Sequence, residues 1–140
     1  MTACIMALHI RDFRQSDTAE LSRLCETGRF IGALPQDGDV ARILSGLRED
    51  RLAAAIWFKL EGQTGIIDAI ALASSDLWQS DVQELISEAS LWLTSRGAVR
   101  IELKAIPDDR GLLAGLRDMH FRADERTGTM HRLISARSAA

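Results

Sequence analysis

The stretch DAIALASSDLWQSDVQELISEASLWLTSRGAVRIEL, residues 68–103, decides how this chain folds. It opens inside an apolar run that starts at Thr64 and reaches Ala73. That run is rich in β-formers and almost unbroken, which predicts a strand buried on both faces. Further on, Val82, Leu85, Ile86, Ala89 and Leu93 recur on one helical stripe, and Arg96-Gly97 supplies the stop. Residues 99–106 alternate apolar and polar and read as the next strand.

Between the first strand and the helix lies Asp76-Leu77-Trp78-Gln79-Ser80-Asp81-Val82, which contains no glycine. Ser80 and Gln83 fit the S-x-x-Q capping box, each side chain serving the other's backbone N–H. Asp81 and Glu84 add negative charge to the first turn, which favours the helix dipole. The expectation is a helix that has capped itself. Such a cap is worth roughly 0.5–2 kcal/mol and is equally what an ordinary surface helix carries.

Outward from this centre, residues 7–13 alternate as a first strand. Asp17 and Glu20 form a capping-box pair ahead of Leu21, Leu24 and Cys25, predicting a helix that ends near Gly28. Residues 30–38, with Pro35, read as a loop. Asp39 caps a second helix carrying Val40, Ile43, Leu44 and Leu47 on one face. Residues 51–60 mix helix and strand formers and are read as a strand, because Glu61-Gly62-Gln63 makes a tight turn after them. Pro107-Asp108-Asp109 opens a short helix with Leu112, Leu113, Leu116 and Met119, and two short strands near 121–124 and 129–134 pair around Arg126-Thr127-Gly128. The predicted order is β-α-α-β-β-α-β-α-β-β, one mixed sheet of the α/β (α+β) class with helices on its faces.

The chain has 140 residues, 46% of them hydrophobic and 26% charged, with a net charge of -3, which fits one soluble domain over residues 1–134 and a frayed tail over 135–140. No Lys/Arg block marks a nucleic-acid surface, and no signal peptide or membrane span is read. Cys4 and Cys25 show no metal-ligand or redox spacing and suit a reducing, cytoplasmic setting; no metal is expected. There is no tyrosine.

The pieces Asp68-Ala69-Ile70-Ala71-Leu72, Trp92-Leu93-Thr94-Ser95-Arg96-Gly97-Ala98, Val99-Arg100-Ile101-Glu102-Leu103 and Pro107-Asp108-Asp109 to Met119-His120-Phe121 together resemble the GNAT superfamily of N-acetyltransferases. Ile10-Arg11-Asp12-Phe13 followed by Asp17 resembles the family's opening strand and helix. The resemblance implies acetyl-CoA or another acyl-CoA as cofactor and a small-molecule or peptide amine as acceptor, with residues 30–39 forming the acceptor loop; a homodimer is compatible with it. It implies that the pantetheine arm pairs with backbone near Ile70, Ala71 and Leu72 like an added strand, and that the pyrophosphate sits at Leu77, Trp78, Gln79, Ser80, Asp81 and Val82, with Asp109 nearby.

The family's R/Q-x-x-G-x-G/A motif falls on Leu77, Ser80 and Val82, none of which matches it. The tyrosine that many members use as general acid falls on Leu116, the glycine before the closing Phe on His120, and an Asn near the start of that helix on Asp109. An acidic first turn also opposes phosphate: at about 6 Å and a dielectric near 20, one like-charge pair costs roughly 3 kcal/mol.

Asp68 lies within the apolar run Ile66-Ile67-Asp68-Ala69-Ile70, and a carboxylate desolvated there suits a general base; the alternative is a solvated or Arg-paired aspartate. Glu102 alternates with apolar neighbours and is a second candidate, or a salt-bridged face residue. His120 or His131 could stand in as acid, or be turn and edge residues. Trp57 and Trp92 read as core, while Trp78, in a polar turn, is either core or a ligand contact. Three functions fit: an acyltransferase that works mainly by positioning, a non-catalytic GNAT-fold module for another ligand or a protein partner, and an oligomer whose cleft is plugged by its own Leu77 and Trp78.

Overall fold

The computed structural model describes residues 8–35 and 41–134. Cys4, the Asp39 cap with Val40, and the tail 135–140 lie outside the described residues. In chain order the elements are β1 (His9–Asp12), α1 (Thr18–Thr27), β2 (Arg29–Gly32), β3 (Arg42–Arg48), β4 (Arg51–Glu61), β5 (Thr64–Leu72), α2 (Trp78–Ser95), β6 (Arg100–Leu103), α3 (Arg110–Asp118), β7 (Arg122–Asp124) and β8 (Thr129–Leu133). The strands form one sheet in the order β1-β3-β4-β5-β6-β8-β7, with β2 attached to β5 beside that path. Among the described residues only β5 and β6 run parallel, and α2 connects them. No helix among the described residues is long and apolar enough to cross a membrane.

β5 is buried from Gly65 to Leu72, as its continuous apolarity predicts. Its faces serve two cores. Ile67, Ile70 and Leu72 join Ile56, Phe58 and the α2 stripe Val82, Leu85, Ile86, Ala89 and Leu93 on one side. Ala69 and Ala71 join Ala55, Trp57 and Leu24 of α1 on the other. The sheet is therefore sandwiched between α1 and the α2–α3 pair. Each fully buried Leu or Ile contributes roughly 1.5–3 kcal/mol. α2 packs directly on Gly65, where a Cβ would lie 2.5 Å from a Leu93 methyl.

The predicted second helix is a correction. Ile43, Leu44 and Leu47 lie on β3, a strand between β1 and β4. Their helix-like spacing is also what a strand buried on both faces produces. Leu44 enters the core under α2, while Ile43 packs against the core under α1. The loop expected from residue 30 is likewise a strand at its start, since Phe30, Ile31 and Gly32 belong to β2. Residues 51–60 are a strand, as read, and Gly62 takes φ 61 in the turn that follows.

The Asp17–Glu20 capping box does not form. Asp17 stands at the N-cap of α1 without a cap hydrogen bond, and its carboxylate instead accepts from both terminal nitrogens of the Arg11 guanidinium (2.8 and 2.9 Å), from the Arg14 N–H and from the Ser45 hydroxyl. Glu20 accepts from Arg51 and from the Leu52 N–H. The two carboxylates tie α1 to β1, β3 and β4 rather than closing their own turn. Cys25 packs beside the α1-side core, where burial, and then the neighbouring Glu26, pushes its thiol up from the ordinary value.

α3 ends on a Schellman motif. The Phe121 N–H donates to the Leu116 carbonyl, the His120 N–H donates to the Arg117 carbonyl, and His120 takes φ 73. The residue standing where the resemblance expects a glycine thus adopts glycine's backbone conformation.

Two stability predictions follow from these geometries. The Arg11 hydrogen bonds hold the Asp17 carboxyl well below the usual carboxylate range, with the Arg14 N–H and Ser45 assisting against the cost of burial. A depressed folded-state pKa gives stability that is full above the unfolded value of about 4 and is lost as pH falls below it. Asp17→Asn should cost roughly 3 kcal/mol at pH 7. In denaturant titrations, the gap to the parent protein should narrow as pH drops below about 4. His120→Gly should raise stability by about 1 kcal/mol by removing the left-handed penalty, read as a higher denaturation midpoint.

Candidate functional site

Asp68 is an extra residue in β5. Phe58 and Trp57 are adjacent on β4, but their partners are Ile67 and Ala69, so Asp68 forms a bulge. The bulge divides the edge of β5 that faces away from β4. Thr64 to Ile67 pair with β6, and Lys104 N–H donates to the Ile67 carbonyl at 3.0 Å. Beyond Asp68, β6 no longer follows. Ala69 to Leu72 pair with β2 instead, and the Ala33 N–H donates to the Asp68 carbonyl at 3.1 Å.

The direction of each backbone group follows from strand alternation. Ala73 N–H donates to Ala53 on β4, so Ala69 and Ala71 also face β4, while Ile70 and Leu72 face β2. The backbone that the resemblance assigns to the pantetheine arm at Ile70, Ala71 and Leu72 is therefore paired within the chain, with Ile31 and Arg29 opposite Ile70 and Leu72. Two glycines allow this seat. A Cβ on Gly28 would collide with the Leu72 carbonyl oxygen, and one on Gly32 with the Asp68 carbonyl oxygen; Gly32 also takes φ 83. Sequence reasoning missed β2. Its signal was the pair Gly28 and Gly32 bracketing Arg-Phe-Ile.

A cleft of about 300 Å³ remains between β2 and the chain from Ala105 to Asp109. Phe30, Gly32, Trp78 and Asp109 line it. Trp78 is half-buried there, and the Arg29 guanidinium stacks 4.2 Å from its ring centroid. A larger hollow of about 480 Å³ runs along α2 between Ile10 and Met119; Asp68 and Glu102 line neither space.

The helix entrance differs from its sequence reading. α2 begins at Trp78 with Leu77 as N-cap, so Ser80 lies inside the first turn and caps nothing. The Leu77 N–H donates to the Ser75 hydroxyl oxygen at 3.1 Å. Gln83 does not reach back to Ser80; its amide lies against α3, where a Cβ on Gly115 would collide with it. Asp81 is buried and turned inward, accepting from both terminal nitrogens of the Arg48 guanidinium at 2.6 and 3.2 Å. Its charge is matched, so the like-charge penalty expected for a phosphate at this turn does not apply in that form. Val82 is fully buried in the core. Gln79 donates to the Asp109 carboxylate at 2.7 Å, and the same oxygen caps α3 through the Leu112 N–H at 2.8 Å. This bond locks the first turn of α2 to the first turn of α3.

The two carboxylates proposed as bases lie on one face. Ile101 and Leu103 enter the α2-side core, which turns Glu102 to the opposite side, level with Ile66 on β5 and His131 on β8. Asp68 is buried on that same side, 3.8 Å from the Lys59 ammonium. Glu102 lies 3.8 Å from Arg100. His131 has a buried Nδ1 without a hydrogen-bond partner among the described residues. His120, by contrast, is committed to the end of α3. Leu116 is fully buried, so no polar group replaces the missing tyrosine there. Among the described residues, no cluster of three or more His, Cys, Asp or Glu could hold a metal.

No family profile and no curated protein sequence matches the chain. Solved structures do. The ribosomal-protein-S18-alanine N-acetyltransferase of Escherichia coli superimposes with a TM-score of 0.71 at 13% identity, over 91% of this chain and 94% of that one. A GNAT family acetyltransferase from Brucella melitensis in complex with acetyl-CoA gives 0.65 at 17% identity, over 91% and 88%. The paia N-acetyltransferase of Thermoplasma acidophilum in complex with coenzyme A gives 0.69 at 11% identity, over 91% and 99%. At such identities the likeness is one of fold. The mixed sheet that splits at the Asp68 bulge, with α1 on one face and α2 and α3 on the other, is the fold of the GNAT superfamily of N-acetyltransferases.

Proposed function

We propose that this chain is an acyl-CoA-dependent acyltransferase that acylates an amine, with Asp68 as the general base. The observation that carries the reading is the split edge: a buried carboxylate stands at the bulge where β6 leaves β5, and a cleft lined by Gly32 of the adjoining β2 opens nearby, with Asp68 itself outside its lining. Cofactor-bound proteins of the same fold support it. The fit is partial. The Asp81 charge is neutralised by Arg48, and Arg29 places a cation at the cleft beside the first turn of α2. The inner edge at Ile70 and Leu72 is taken by β2 and does not fit the arm unless β2 leaves.

When bound, the cofactor supplies an activated thioester carbonyl. The chain's own part is to orient the amine and take its proton. Asp68 receives that proton at its carboxylate, with the Lys59 ammonium 3.8 Å away. Glu102 is the second carboxylate on this face and helps to gather a cationic amine. Leu116 donates no proton, so the geometry favours catalysis by positioning.

A second reading has its own observation. With β2 filling the edge of β5, the protein is a non-catalytic GNAT-fold module that uses the remaining cleft or an outer surface for another ligand or a protein partner.

Calorimetric titration of the protein with acetyl-CoA and with CoA separates the two. Micromolar binding is expected. Absence of both heat and thermal shift at millimolar ligand would reject the acyltransferase and leave the module. Given binding, an amine screen should reveal turnover, and Asp68→Asn should lower kcat by about 10²–10⁴ with little change in cofactor affinity. Unchanged turnover would remove Asp68 from the base role.

A further inference from the structure

We propose that β2 is an autoinhibitory strap: a strand of the chain itself that fills the seat of the acyl-pantetheine arm on β5 and is displaced when the arm binds. This rests on the acyltransferase reading and keeps the arm at the edge of β5.

Backbone groups define the seat. By strand alternation, Ile70 and Leu72 turn their N–H and C=O groups away from β4 and toward Ile31 and Arg29. The Asp68 carbonyl accepts from the Ala33 N–H at 3.1 Å. β2 therefore takes the same groups that an extended, amide-bearing chain would use in strand addition on this edge. The two occupants exclude each other.

The occupation is built into the sequence. Gly28 and Gly32 bracket β2, and a Cβ at either would collide with a β5 carbonyl oxygen, that of Leu72 or that of Asp68. Any larger residue at these two places would hold the strand away from β5.

The attachment is nonetheless shallow. β2 makes four residue pairs with β5, against eight between β4 and β5. Arg29 and Phe30 are exposed, and Ile31 is half-buried where it packs against the α2-side core. Backbone hydrogen bonds thus provide most of the hold, and an arm with its own amides restores them on β5. Exchange gives up the Ile31 packing, the Phe30–Trp57 ring contact at 6.2 Å and the Arg29–Trp78 stack at 4.2 Å.

β2 also divides the space around it. It forms one wall of the cleft whose other wall runs from Ala105 to Asp109, and it stands between that cleft and the edge of β5. With β2 away the two join, and the cleft extends to the backbone of Asp68 at the bulge. The apparent affinity for acyl-CoA is then the intrinsic affinity scaled by the fraction of molecules with β2 off β5.

A reversible lock tests the strap. Phe30 and Ala71 are direct partners, and both side chains lie on the α1 side of the sheet. As a non-hydrogen-bonded pair their Cα atoms stand about 4.5 Å apart, within disulfide reach. Phe30→Cys with Ala71→Cys, in a protein also carrying Cys4→Ala and Cys25→Ala, clamps β2 to β5 when oxidised and releases it when reduced with a phosphine. Acetyl-CoA should bind the oxidised protein at least about tenfold more weakly than the reduced one. Equal affinity in the two states would overturn the proposal. Gly32→Val, which forces β2 off Asp68, should bind acetyl-CoA at least about tenfold more tightly than the parent protein. Unchanged or weaker binding by the folded variant would overturn it. If these variants fail to fold, amide hydrogen exchange in the intact ¹⁵N-labelled parent protein decides. At saturating acetyl-CoA the Arg29 and Ile31 amides should lose protection while Ile70 and Leu72 keep theirs; protection of Arg29 and Ile31 that survives saturation would overturn the strap. No binding of millimolar acetyl-CoA by the parent, the Gly32→Val variant or the reduced double variant would reject the acyltransferase reading, and the strap with it. Binding that is indifferent to the lock rejects the strap alone.

Discussion

One inserted residue organises this sheet. At Asp68 the ladder between β4 and β5 slips by one, and the opposite edge of β5 can no longer be followed by a single neighbour. β6 takes the residues before the bulge and β2 those after it. The bulge also sets the side chains. Ile67 and Ile70 both reach the α2-side core although they are three apart, because Asp68 and Ala69 together face the other way. A buried carboxylate is thereby placed at the point of divergence. Burying it unpaired would be costly, and the Lys59 ammonium at 3.8 Å answers that cost.

The same economy governs the other buried acids. Asp17 and Asp81 both stand at helix starts, where a carboxylate is normally a cap. Each instead meets an arginine from a strand: Arg11 on β1 and Arg48 on β3. A guanidinium offers a paired, planar set of donors to a carboxylate, and that bond is stronger than a cap to a backbone N–H. These pairs pin α1 and α2 to opposite faces of the sheet. Arg48 thereby neutralises Asp81 in the first turn of α2, and the cleft nearby is lined by Arg29 together with Asp108 and Asp109.

The candidate chemistry is spread over three strands and a connecting segment. Asp68 comes from β5 and Glu102 from β6, while the cleft wall comes from β2 and the chain between β6 and α3. Gln79 and Asp109 hold that wall in register by linking the starts of α2 and α3. The glycines on α3 face α2, so the two helices pack closely enough for this bond to form. Cleft width is therefore coupled to helix packing, whereas the position of the carboxylates depends on the sheet alone.

The elements built from local periodicity were legible in the sequence. β5, the body of α2, β6 and α3 follow from repeats of apolar residues that each element carries within itself. The candidate bases were legible too, because a lone acid in an apolar strand is conspicuous without any partner in view. What tertiary structure decided was every choice between partners far apart in the chain. Ile43, Leu44 and Leu47 fit a helix as well as a strand, and β1 and β4 on either side settled it. Asp81 and Arg48 are 33 residues apart, so the capping pattern near Ser80 concealed the stronger ion pair. β2 was invisible because four residues carry too little periodicity to declare a strand. Only the unfilled edge of β5, which the bulge creates, gives Arg29–Gly32 a reason to be one.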